Sequence, residues 1–125
     1  MRNVCFRMVG EVPVIGPLFS NSEAARRAAR RWLERFEKVH VPKQGVRVLV
    51  EQEPDGHSLV VLLNGRAFYR LAGLDDLLVR RLYRAVRQKR MLVLTAFVGD
   101  GNAEPRPLAV TEGIGLVVFQ QAAVI

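Results

Sequence analysis

Residues 46–71 read VRVLVEQEPDGHSLVVLLNGRAFYRL. Three runs of apolar and β-branched residues are separated here by two strong turn signals. Pro54 before Asp55-Gly56 closes the first run. Asn64-Gly65 closes the second, and this dipeptide suits the positive φ values of a type I′ hairpin. Runs joined this tightly leave no room for a crossover helix, so they must pair antiparallel. Residues 46–52 alternate in polarity, as a half-buried strand does. Residues 58–63 are apolar on both faces, which places them at the centre of a sheet. Residues 66–71 return as their partner. Phe68 and Tyr69 are neighbours in this strand, so regular alternation would send their rings to opposite faces.

Two stretches carry helical spacing instead. In FSNSEAARRAARRWLERFEKVH (19–40), Ser20 and Glu23 have the spacing of a capping box. Ala25, Ala29, Trp32, Leu33, Phe36 and Val39 share one face, which makes Trp32 a core residue. Arg27, Arg31, Glu34 and Lys38 share the other, and Pro42 and Gly45 end the run. The second stretch is DDLLVRRLYRAVRQKR (75–90). Its apolar arc is Leu74, Leu78, Leu82, Ala85 and Val86, widened by Val79 and Tyr83.

The flanking runs complete the pattern. Residues 3–9 have strand composition, and residues 91–98 form a buried strand. GEVPVIGP (10–17) has two glycines and two prolines and reads as an irregular connection or a short edge strand. Residues 99–107 are rich in turn formers, and a last strand falls at 116–120. The order is β-α-β-β-β-α-β-β. At 125 residues the chain is expected to form one α+β domain over 1–125. Two amphipathic helices would cover one face of a mostly antiparallel sheet.

VIGPLFSNSEAARRAARRWL (14–33) resembles the strand-to-helix passage of SPOR peptidoglycan-binding domains, which run glycine, proline, phenylalanine and then a helix. Leu18 departs from that pattern by standing between Pro17 and Phe19. The resemblance covers about one sixth of the chain and does not assign it to the family. Those domains act outside the cytoplasm. This chain is expected to be cytoplasmic, because MRNVCFRMVG carries no export signal and no run reaches membrane-spanning length. A single cysteine, Cys5, excludes an internal disulfide and any multi-cysteine zinc site.

Charge is the strongest global signal. Nineteen basic residues face 12 acidic ones, for a net +7. The surplus is unevenly placed. Residues 91–125 carry Arg106 against Asp100, Glu104 and Glu112, so residues 1–90 hold more than the whole excess. Within residues 75–90, Asp75 and Asp76 open the helix and Lys89 and Arg90 close it, which complements its dipole. Asp76 has the spacing to pair with Arg80. Arg80, Arg84 and Arg87 then form a stripe opposite the apolar arc, with Arg81 beside it and no acid on the same helix to answer Arg81, Arg84 and Arg87. On the first helix, glutamates alternate with the arginines, and Glu23–Arg27 and Arg30–Glu34 have pairing spacing.

Motifs for chemistry are missing. There is no P-loop, no dinucleotide fingerprint and no G-x-S-x-G. His40 follows a helix and His57 lies in a turn, where both are expected to be exposed. Glu51, Glu53, Asp55 and His57 alternate at a hairpin end, a pattern that a wet strand end explains as well as a divalent ion does. The expectation is therefore a non-enzymatic binding protein with no cofactor and no metal. Arg80, Arg81, Arg84, Arg87, Lys89 and Arg90 would contact a nucleic-acid backbone or a nucleoprotein. The alternative is an adaptor or inhibitor of the kind found on mobile elements, docking on an acidic protein surface. Residues 107–125 hold a single charge, Glu112. Their apolar strand must be central or covered, and a homodimer through this C-terminal segment would cover it.

Overall fold

The computed structural model describes residues 4–37, 46–63, 65–99 and 104–119. Strands β1 (Val4–Val9) and β2 (Val12–Phe19) lead into helix α1 (Ser22–Glu37). Strands β3 (Val46–Glu53), β4 (Gly56–Leu63) and β5 (Arg66–Leu74) lead into helix α2 (Asp76–Lys89). Then come β6 (Met91–Leu94), β7 (Phe97–Val98), β8 (Arg106–Pro107), the one-turn helix α3 (Leu108–Thr111) and β9 (Leu116–Phe119). The architecture is α+β, as the sequence pattern implies, but with more strands than that pattern gives.

The meander forms as its turn signals require. β3, β4 and β5 make a three-stranded antiparallel sheet with β4 in the middle. Gly65 has φ 82, the left-handed conformation that an Asn-Gly turn needs, while Asn64 lies outside the described residues. His40, the helix stop at Pro42 and Gly45, and the final AAVI also lie outside them.

The larger sheet corrects one expectation. Residues 10–17 are not an edge connection, because β2 is a full central strand. It pairs antiparallel with β1 from Val12 to Pro17, and parallel with β6 and β7 on its other side. The sheet is thus mixed. Its prolines survive at the centre because of where they fall. Pro13 precedes the stretch paired with β6, which begins at Val14. Pro17 lies in the gap between Ile15↔Leu94 and Leu18↔Phe97. Neither position falls in the parallel ladder that a missing N–H would break.

Both long helices pack on one face of this sheet. Ile15, Leu92 and Leu94 meet Leu78, Val79, Leu82 and Val86 of α2, together with Val48, Leu59, Val61 and Leu71 of the smaller sheet. Ala96 and Val98 meet Ala25 and Ala29 of α1, where small side chains let the helix approach closely. The alternating neighbours Val14, Val93 and Phe97 point to the opposite face and form a separate cluster. β3 runs close to β9, and β5 close to β1. β9 is hydrogen-bonded to β6 at the end of the larger sheet, and β3 lies close to it. The chain itself flanks the strand that the tail's composition made a hazard.

Trp32 is half-buried rather than enclosed. It packs on the Ala25–Ala29 cluster with its ring 4.7 Å from that of Tyr69. Phe36 meets Phe68 edge-on at 5.9 Å. Phe68 and Tyr69 therefore both reach α1, against the expectation of opposite faces. The cause is a register shift: Val61 pairs with Tyr69 but Leu62 with Ala67, so Phe68 is the extra residue of a β-bulge.

Candidate polyanion-binding face

Helix α2 begins at Asp75, whose Oδ1 accepts a hydrogen bond from the Leu78 amide at 2.8 Å. It ends at Arg90, which takes the left-handed conformation at φ 58 while its N–H donates to the Val86 carbonyl at 2.8 Å. Leu78, Val79, Leu82, Ala85 and Val86 are buried, as the apolar arc requires. Leu74 is buried as well, but as the last residue of β5. This packing fixes the helix rotation and sends Arg80, Arg84 and Arg87 to the exposed side.

The six candidate residues do not act as one group. Arg80, Arg84 and Arg87 line a shallow open hollow of about 470 Å³, with half-buried Tyr83 between them and Gln88 at its end. None of these three arginines has an ion-pair partner among the described residues. Arg81 instead lies over the Phe6 ring at 5.1 Å, on the shoulder towards β1. The Lys89 ammonium reaches Glu11 at 3.5 Å. Arg90 serves as the helix cap. The expected Asp76–Arg80 pair does not form, because Asp76 Oδ1 meets His57 Nε2 at 2.8 Å. His57 is thus mostly enclosed, with a side chain 20% exposed, where its turn position suggested solvent.

Outside α2, five of the described arginines are committed to partners, while Arg47, Arg66 and Arg106 are exposed with no ion-pair partner among the described residues. Arg70 Nη1 donates to Glu51 at 2.8 Å and to Glu53 at 3.0 Å. The bond to Glu51, before any other cause, raises the Arg70 pKa. Arg26 Nε donates to Glu112 at 2.7 Å, which raises its pKa in the same way. Arg7 meets Glu104 at 3.9 Å and donates to the Pro105 carbonyl, and Arg27 meets Glu23 at 3.8 Å. Arg35 stacks on Phe68 at 4.8 Å and donates to its carbonyl. On α1 the Glu23–Arg27 spacing produces a pair, but the Arg30–Glu34 spacing does not. Arg30 and Arg31 therefore add a second exposed basic surface, which the alternation of charges on α1 concealed. Asn21 rather than Ser20 caps this helix, its Oδ1 accepting from the amides of Glu23 and Ala24.

The structure also exposes Leu77, which is 62% accessible and stands one helical turn before Arg80 and Arg81. At about 100° per residue its spacing places it beside Arg84, on the charged side of the helix.

The alternating acids of the β3–β4 hairpin do not converge. Glu51 and Glu53 turn to Arg70, Ser58 Oγ donates to Glu53 at 2.7 Å, and His57 turns to Asp76. The Ser58 hydroxyl therefore makes its bond to a carboxylate and not to the imidazole, so this Ser/His/acid set lacks the bond that activates a nucleophile. Among the described residues no group of three or more histidine, cysteine, aspartate or glutamate side chains gathers to hold an ion, and no helix is long and apolar enough to cross a membrane.

No family model, no curated protein and no solved structure matches the chain.

Proposed function

We propose that this is a small basic, non-enzymatic binding protein that grips a nucleic-acid backbone, bare or within a nucleoprotein, through α2. One observation carries the reading. Arg80, Arg84 and Arg87 are exposed along one stripe of a well-anchored helix, and none of them is neutralised among the described residues. Guanidinium groups spaced by one turn suit a row of phosphates, each giving two parallel donors to one anion. The hydrogen-bonded cap and the buried face hold the row before any ligand arrives. The net charge of +7 adds long-range attraction for a polyanion.

The test is charge reversal. Arg84→Glu with Arg87→Glu should abolish retention on heparin and on duplex DNA while leaving the melting temperature nearly unchanged. Exposed substitutions of this kind move stability by under about 0.5 kcal/mol. Unchanged retention removes the reading.

A second reading rests on Leu77. An exposed leucine at the head of an arginine stripe is what a protein interface uses, with an apolar anchor beside a charged rim. On that reading α2 docks on an acidic surface of a protein partner. In either case the protein works as a homodimer in the cytoplasm.

A further inference from the structure

We propose that the outer face of the larger sheet seats a second copy of this chain, making a dimer whose two α2 stripes point in opposite directions. This face is the one that neither long helix covers. Its floor is Val14 and Val93, which alternate with the inward residues Ile15, Leu92 and Leu94. Val9 and Val12 wall it on the hairpin side, Val117 and the α3 segment on the other. They enclose an apolar groove of about 270 Å³ with no charged side chain in its lining.

The occupant follows from shape and from charge. Beside the groove stands a ridge: Val110 of α3 is 56% exposed, and Val117 is 43% exposed. A projecting valine next to a valine-lined hollow is self-complementary. Across a two-fold axis the ridge of each copy enters the groove of the other, as an isologous interface requires. Charge selects the same face. A chain of net +7 repels its own copy over most of its surface. The charged groups around the groove are paired: Glu11 at the hairpin tip holds Lys89, Glu112 after α3 holds Arg26, and Arg7, opposite Val14 on this face, meets Glu104. Residues 91–125, which build the ridge and part of the floor, carry more acid than base. This is therefore the face on which two copies meet with the least repulsion. The C-terminal segment still takes part, through Val110 and Val117 on its outward side rather than through the β9 edge, which β3 flanks.

The sheet then separates interface from stripe. α2 packs on the inner face and the second copy on the outer, so the dimer offers one arginine row at each end. Resting on the reading of α2 given above, the dimer bridges two phosphate backbones rather than embracing one.

Light scattering on the full chain at micromolar concentration, in low and in molar salt, tests the interface. Twice the monomer mass is expected in both, since apolar contact survives screening that weakens charge pairing. Val110→Lys with Val117→Lys should halve the mass. Both side chains are exposed, so the melting temperature should hold. If that variant fails to fold, Val110→Asp alone, at the more exposed site, gives the same readout. A monomeric parent protein, or a folded variant that stays dimeric, overturns the proposal. Heparin retention keeps the two readings apart. A dimer that is not retained removes the stripe and spares the interface. A retained monomer does the reverse. When both hold, the parent protein should join two labelled DNA duplexes in one complex, and the lysine variant should bind each without joining them. A parent dimer that binds DNA but never holds two duplexes overturns the opposed arrangement.

Discussion

Gly16 and Thr95 pass so closely that a Cβ at residue 16 would lie 1.5 Å from the Thr95 carbonyl oxygen. Here β2 crosses from β6 to β7, and Thr95 fills the crossing. Its amide donates to the Ile15 carbonyl at 3.1 Å, and its hydroxyl donates to the Ile114 carbonyl at 2.6 Å. Both residues are buried, so neither can shift aside. Gly16→Ala must push two central strands apart, and the expected cost is at least about 3 kcal/mol, the upper range for overpacking. Thermal unfolding measures it. A variant that melts like the parent would mean the strands do not meet here. Thr95→Val is the softer companion. It leaves the strand backbones in place and strands the Ile114 carbonyl, at about 1–3 kcal/mol.

Tyr69 links stability to alkaline pH. Burial against α1 raises its phenol pKa above the ordinary value of 10.0. The folded state then keeps a proton that the unfolded chain releases above about pH 10. From there upwards the unfolded state binds fewer protons than the native one, so stability falls as pH rises, by at most about 1.4 kcal/mol per pH unit for one group. Below pH 10 both states hold the proton and the contribution is constant. Tyr69→Phe should flatten this loss in denaturant titrations run from neutral to strongly alkaline pH. An unaltered slope would mean that another group governs alkaline unfolding.

The parts of this fold that were legible in sequence are those decided locally. The α2 arc was readable because a period of 3.6 residues needs no knowledge of what it packs on. The 46–71 meander was readable because its turn residues act within four positions. β2 was hidden because two prolines weigh against a central strand, and only the register with β6 and β7 shows that they avoid the parallel ladder. The Phe68 bulge was hidden for a related reason: it is a property of the β4–β5 pairing and not of either strand. The site divides along the same line. Spacing placed Arg80, Arg84 and Arg87 together, but the fates of Arg81, Lys89 and Asp76 depend on Phe6, Glu11 and His57, which lie far away in sequence.

Asp75 anchors the stripe without touching it. Its carboxylate takes one of the free amides of the first turn of α2. Asp75→Ala should cost about 1 kcal/mol, the usual value of such a cap. Asp75→Asn should restore most of it, because the amide oxygen accepts the same bond. The melting temperatures of the two variants decide the point. If both fall equally, the charge of Asp75 matters more than the cap.

Leu77 separates the two candidate partners. It sits beside Arg80 and Arg81 but carries no charge, so it contributes little to holding a row of phosphates. Phosphate binding depends on counterion release, and its affinity falls with salt in proportion to the phosphates neutralised. Leu77→Ala should leave both the affinity for DNA and its salt slope unchanged, whereas Arg84→Ala should lower the affinity and reduce the slope by about one contact. An acidic protein partner reverses the ranking. Truncating a buried apolar anchor typically costs more than about 1 kcal/mol, and a rim charge costs less. At 62% exposure Leu77 supports no core, so either change in binding comes from the interface and not from the fold. Salt titrations of the two variants against duplex DNA and against an acidic protein captured from lysate with nuclease present therefore rank the partners. A Leu77→Ala variant that loses DNA affinity as strongly as Arg84→Ala would show that α2 reads something other than the backbone.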